Sequence, residues 1–286
     1  MLDDCTKLLF ASQGSAELPL LFAPEVLRCT AAGPGGRPLR VLIDTGTDPS
    51  AIDLALARRL GLRLGPFGLG SDAASDAVPY TETTLPWLRM GGLEIRDLYV
   101  LAVDLSRAPF PVDLVLGYNV LCRLVLQIDY RRRRLRLTHP DLEPDAPQPG
   151  GATVPLAFYE HFPAIAGAQL ANGLSLPPLT IDTGSNGGLT LSSDLALRAG
   201  LQPGAEGVAA GRGRGFVGEC TVLRSAGRLQ FGPFELTNVE LDAPAGSGGD
   251  FGRAGRANIG NRLLARFGRV ALDYGRGRCT LEPPVS

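Results

Sequence analysis

Two short segments of this chain combine residue types that can do acid–base chemistry: Asp44-Thr45-Gly46-Thr47 and Asp182-Thr183-Gly184-Ser185, 138 positions apart. Each follows a mainly apolar run, Val41-Leu42-Ile43 in one case and Leu179-Thr180-Ile181 in the other, which reads as a strand bound for a core. A carboxylate at the buried end of such a strand is costly unless it is hydrogen-bonded or paired, so its presence points to use. Gly46 and Gly184 permit a tight turn and a close backbone approach. If the two loops meet, Asp44 lies beside Asp182. Two carboxylates in contact cannot both ionise, so they share one proton and their titrations are pushed apart. Such a pair can take a proton from a water while giving one to a carbonyl oxygen, which is amide hydrolysis with neither metal nor covalent intermediate.

For the loops to meet, remote stretches must be brought together, and the sequence supplies a means. The two halves carry the same landmarks in the same order: the Asp-Thr-Gly loops, apolar hairpins from Trp87 and Arg228, the glycines Gly117 and Gly260, and the pairs Asp129-Tyr130 and Asp273-Tyr274. Their nearly constant pitch indicates a duplication, with the copies packed about an approximate two-fold axis. Each copy reads as a strand into Asp-Thr-Gly, a short helix (about 51–60 and 192–199) and a Gly-rich or polar loop. An apolar hairpin, a buried strand ending in glycine and a closing strand through Asp-Tyr follow. Residues 139–151 hold four prolines, scattered acids and no apolar periodicity, which is linker composition. The expected organisation is an N-terminal extension 1–16, a lobe 17–140, a linker 141–151 and a second lobe 152–286. With Gly 37 and Pro 23 among 286 residues, punctuation is too frequent for long helices, and an all-β chain is expected.

Composition excludes several functions. The chain is 44% hydrophobic and 20% charged with a formal charge of -1, so no global field would gather nucleic acid or an anionic membrane. No apolar run is long enough to span a bilayer. Asp3 and Asp4 stand where a secretory leader would be basic, and the five cysteines are odd in number and widely spaced, so free thiols and a cytoplasmic location are expected. His139 and His161 read as ordinary surface or loop residues and offer little for a zinc site or a Ser-His-Asp triad. The basic run 131–134 reads as a solvated hairpin, and Gly211-x-Gly213-x-Gly215 lacks the βαβ setting of a dinucleotide loop. Aspartyl-phosphate chemistry would need a second acid at position 46, which is glycine, and a lysine, of which only Lys7 exists, outside the repeats. Trp87 and Phe231 are expected in the core, and Asp129 and Asp273 at turns or strand ends.

The two Asp-Thr-Gly-Thr/Ser loops, with Val115-Leu116-Gly117 and Asn258-Ile259-Gly260 downstream, resemble the retropepsin-type aspartic peptidases over residues 17–140 and 152–284. The resemblance implies two retropepsin-like β-barrel lobes, each with a short helix, fused in one chain and related by a pseudo-two-fold axis. It implies Asp44 and Asp182 as the catalytic pair, Thr45 and Thr183 in cross-loop hydroxyl bonds, and Thr47 and Ser185 on the outer carboxylate oxygens. Asp48 and Asn186 would hold substrate backbone. Hairpin flaps would fall at 68–84 and 204–220, with Tyr80 and Phe216 as aromatics at or near their tips, or else as plain surface-loop residues. The implied partner is an extended polypeptide, with no metal or cofactor and no need of a second chain. Asn258 replaces an apolar residue and is expected to perturb the strand beneath the Asp182 loop; residues 48–50 and 186–188 also differ, so the site should be asymmetric. The competing function is a peptide-binding or scaffolding module that kept the fold and is catalytically weak or inactive.

Overall fold

In a computed structural model the described residues are 4–11, 13–23, 25–72, 75–214, 219–245, 249 and 253–284. The first half is built around Leu114–Leu116, buried on both faces, which pairs in parallel with Leu39–Ile43 on one side and antiparallel with Ala51–Asp53 on the other. An unbroken apolar run suits such a doubly covered position. Ala51–Asp53 continues into the long hairpin Val78–Met90 and Leu93–Val103, with Phe67–Gly70 at the sheet edge. The second half repeats the order. Ala257–Ile259 lies between Leu179–Ile181 and Leu189–Leu191, followed by the hairpin Glu219–Phe231 and Phe234–Ala245 with Ala209–Arg214 alongside. Strands dominate the chain, as expected.

The helices are shorter than the sequence suggested. Residues 51–53 form a strand because Ala51 and Ile52 pair with Leu101 and Ala102, and the helix starts at Leu54 behind the Asp53 side chain, whose Oδ1 accepts the Leu56 N–H at 2.8 Å. The second helix, Ser193–Arg198, falls within the expected range. The expected N-terminal extension is structured: Lys7–Phe10 pairs antiparallel with residues 93–96, and its Leu8 and Phe10 pack on the core. Trp87 is also displaced from its expected place. It is half-buried beneath the Arg89 guanidinium, 5.3 Å from its ring, whereas Phe231 is fully buried. Asp129 and Asp273 end their strands and accept the backbone N–H of Arg132 and Arg276, so both are turn residues.

A third sheet joins the halves. Its order is Ala152–Pro155, Arg278–Leu281, Arg269–Asp273, Val125–Asp129, Arg134–Thr138 and Ser15–Pro19. The two central strands run antiparallel with Gln127 opposite Ala271, and each half adds two further strands outward in matching order. This pairing relates the halves by an approximate two-fold through Gln127 and Ala271. One apolar cluster runs through both halves, so the site sits on a continuous core. Phe267 anchors it, fully buried with its ring 5.2 Å from Phe234 and 5.7 Å from Phe231. Phe267→Ala should cost about 3–5 kcal/mol, read as a lowered midpoint in denaturant unfolding.

Candidate active site

Each aspartate stands one residue past a core strand, where the backbone is still tied to the neighbouring strand. Asp44 N–H donates to Leu116 O and Asp182 N–H to Ile259 O, both at 3.0 Å. The next residue turns across to the other loop. Thr45 Oγ1 donates to Ile181 O at 2.5 Å and accepts the Thr183 N–H at 3.1 Å; Thr183 Oγ1 donates to Ile43 O at 2.8 Å and accepts the Thr45 N–H at 3.1 Å. Both threonines are fully buried. Four reciprocal bonds in a dry setting fix the loops against each other. The geometry brings Asp44 and Asp182 together: each carboxyl group lies against the glycine of the opposite loop, close enough for the two to act on each other's titration.

The donors around the two carboxylates differ. Asp44 accepts Gly46 N–H on Oδ1 at 2.8 Å and the Thr47 hydroxyl on Oδ2 at 2.7 Å, and the Gly184 N–H also reaches it. Asp182 accepts the N–H groups of Gly184 and Ser185 on Oδ1, both at 3.0 Å. The Ser185 hydroxyl does not take the expected place on the outer oxygen. It accepts the Gly187 N–H at 3.1 Å, because the loop continues through two glycines where the first half has Pro49-Ser50. The outer oxygen of Asp182 instead receives Nδ2 of Asn258 at 2.9 Å. Far from disturbing its strand, Asn258 stays in register with Thr180 and Thr190. The departure from the apolar pattern was the visible signal; the contact was not.

Burial raises both carboxyls. It is the leading cause for Asp44, opposed by the bonds from Thr47 and Gly46. Burial, then the charge of Asp44, pushes Asp182 up to about 8. The pair therefore keeps a proton near neutral pH. Asp44 is 4% exposed, whereas Asp182 retains a partly open face.

Two supporting networks were not anticipated. Fully buried Asn261 donates to Thr183 O at 2.8 Å and Ser185 O at 2.9 Å and accepts the Tyr130 hydroxyl at 2.9 Å, tying the Asp182 loop to the shared sheet. Under the Asp44 loop, Ser50 Oγ accepts the Gly117 N–H and donates to Asn119 Oδ1. His161, read from sequence as an ordinary residue, crosses from the second half: its Nε2 lies 2.9 Å from Asp48 Oδ2, and its ring is 4.9 Å from Tyr118 and 4.4 Å from Phe162. Asp48 is thus already engaged, while Asn186 is exposed beside its loop.

Both expected flap segments form hairpins. Phe67–Gly70 pairs with the start of Val78–Met90, and Ala209–Arg214 with the start of Glu219–Phe231. Tyr80 is not at the tip but opposite Gly68, its ring against Gly68 and Gly70. Phe216 lies outside the described residues. The first hairpin reaches the second half, with Gly249 N–H donating to Asp76 Oδ2 at 3.3 Å and Asp72 facing Cys220. Among the described residues no helix is long and apolar enough to cross a membrane.

An all-β fold with two carboxyl groups locked on paired loops fits an aspartyl protease fold. Residues 30–120 match the family model for aspartyl proteases, a stretch holding Asp44 and Gly117, and the match supports a peptidase at the level of class. No curated protein matches the chain.

Proposed function

We propose that this protein is an aspartic endopeptidase, formed by a tandem duplication, that uses Asp44 and Asp182 on an extended polypeptide held beneath the two hairpins. The observation that carries the reading is the reciprocal threonine lock that joins two carboxyl groups from loops 138 residues apart. One chain supplies both loops, so a monomer suffices, and five unpaired thiols suit a reducing compartment such as the cytoplasm.

In this reading Asp44 is the carboxylate, held by Gly46 and Thr47, and Asp182 carries the shared proton. A water between them gives a proton to Asp44 while its oxygen attacks the scissile carbonyl carbon. The carbonyl π pair moves to oxygen, which takes the proton of Asp182. In the second step Asp44 passes its proton to the amide nitrogen, the C–N bond breaks, and Asp182 recovers a hydroxyl proton from the tetrahedral intermediate. The Asp182 proton is required, so activity falls as pH rises through about 8.

Digestion of a denatured protein mixture from about pH 3 to 9, with and without a statine-type transition-state mimic, tests this by mass spectrometry. Cleavage within chains that the mimic suppresses is expected. Binding of extended peptides without cleavage at any pH would replace the proposal with a peptide-binding module.

A further inference from the structure

Val115 and Asn258 occupy matching places, each the middle residue of the buried strand beneath its loop and each two positions before the glycine that ends it. The first half fills that place with an apolar side chain, 1% exposed. The second fills it with an amide, 4% exposed, whose Nδ2 is 2.9 Å from Asp182 Oδ2 and whose Oδ1 is buried with no hydrogen-bond partner among the described residues. Packing does not account for this choice. A buried amide with its acceptor unmet is disfavoured, and the matching place in the first half holds a valine, so the N–H contact is the gain that offsets it.

The local arrangement gives that contact a task. Asp44 takes an outer hydroxyl from Thr47, while the equivalent Ser185 has turned away to Gly187, leaving the outer oxygen of Asp182 to Asn258. An oxygen that accepts the amide N–H on one lone pair has its own proton directed elsewhere. The partner available is Asp44, and in a substrate complex the scissile carbonyl.

We infer that Asn258 is a positioning residue of the acid–base pair: its amide N–H aims the hydroxyl of protonated Asp182 at Asp44 and the substrate carbonyl, and steadies the carboxylate left once that proton is given up. The inference rests on the peptidase reading for its catalytic consequence, but not for its effect on titration. Asn258 itself exchanges no proton. The proton leaves Asp182 Oδ2 for the carbonyl oxygen, and Asp44 receives the proton of the water. Within the pair Asp44 is the charge acting on Asp182, and among the described residues the buried Tyr274 phenol, which faces Asp44, is held protonated by burial.

Asn258→Val, which copies Val115, tests it, with Asn258→Ala alongside because it removes the amide without branching at Cβ. Carbon-13 carboxyl titration of aspartate-labelled protein reads the pair with no need of turnover. Losing the N–H withdraws support from the charged form, so the Asp182 titration should move upward by about one pH unit. The alkaline limb of the kcat profile should move with it, and kcat should fall about tenfold with KM nearly unchanged. An unchanged titration would reduce Asn258 to a structural residue. A downward shift would mean that Oδ1, not Nδ2, faces Asp182 and holds its proton back, which also overturns the inference. If the unaltered protein cleaves nothing, the peptidase reading fails while the titration still decides the role of Asn258.

Discussion

Asp44→Asn and Asp182→Asn are each expected to lower turnover by at least about 10³-fold while leaving the fold intact. The substitutions keep shape and one acceptor oxygen, so the threonine lock, which uses only Thr45, Thr183 and the backbone of Ile43 and Ile181, is untouched. What they remove differs. Asp44→Asn deletes the base of the proposed mechanism, and it also deletes the charge that helps hold the Asp182 carboxyl up at about 8, so Asp182 should titrate lower in that variant. Asp182→Asn leaves a permanent neutral donor without a transferable proton. Stability gives a second readout. The ordinary carboxyl value for Asp182 is 3.8 and burial in the native pair raises it to about 8, so the native state holds the proton that an unfolded, solvated Asp182 would lose. Unfolding stability should therefore fall as pH rises between those values, and in Asp182→Asn this slope should shrink to what the buried, raised Asp44 carboxyl still contributes. Denaturant unfolding at several pH values together with a peptide-cleavage assay checks both. Full activity in either variant would remove that aspartate from the mechanism.

The residues that announce this site are those whose types are out of place locally. An acid after Val41-Leu42-Ile43 conflicts with the core the strand enters, and its recurrence at constant pitch made the two loops legible without any structure. Contacts set by three-dimensional register were not legible. Asn258 was visible as an anomaly, but whether its side chain faced Asp182 or the opposite side depended on the pairing of Ala257–Ile259 with Leu179–Ile181. His161 meets Asp48 only because the turn after Ala157–Tyr159 carries it to the other half. The shared sheet was hidden for a similar reason: Val125–Asp129 and Arg269–Asp273 read as closing strands within their own copies, and nothing in either names the other as its neighbour. Short strands such as Lys7–Phe10 owe their state to the edge they cover more than to their own composition.

Gly184→Ala should abolish activity almost as completely as loss of an aspartate, and the reason is space. Gly46 and Gly184 each lie against the opposite carboxyl group. A Cβ on Gly46 would come to 2.9 Å from Asp182 Cγ, and one on Gly184 would overlap the Asp44 carboxylate outright. Neither glycine has the positive φ that would itself demand glycine, so closeness of the loops is what selects it. Asp44 cannot swing aside cheaply, since Thr47 and Gly46 hold both of its oxygens and the Gly184 N–H is a further donor. The added methyl must part the loops and strain the threonine bonds between them. A displacement of this kind at reacting groups costs about 10²-fold or more in rate, and overpacking a tight site costs about 1–3 kcal/mol of stability. The two variants should also rank by their crowding, with Gly46→Ala retaining more activity than Gly184→Ala. Comparing kcat and unfolding midpoints for both checks the ranking. If Gly184→Ala cleaved peptides as well as the parent protein, the carboxyl groups could not be as close as the site requires.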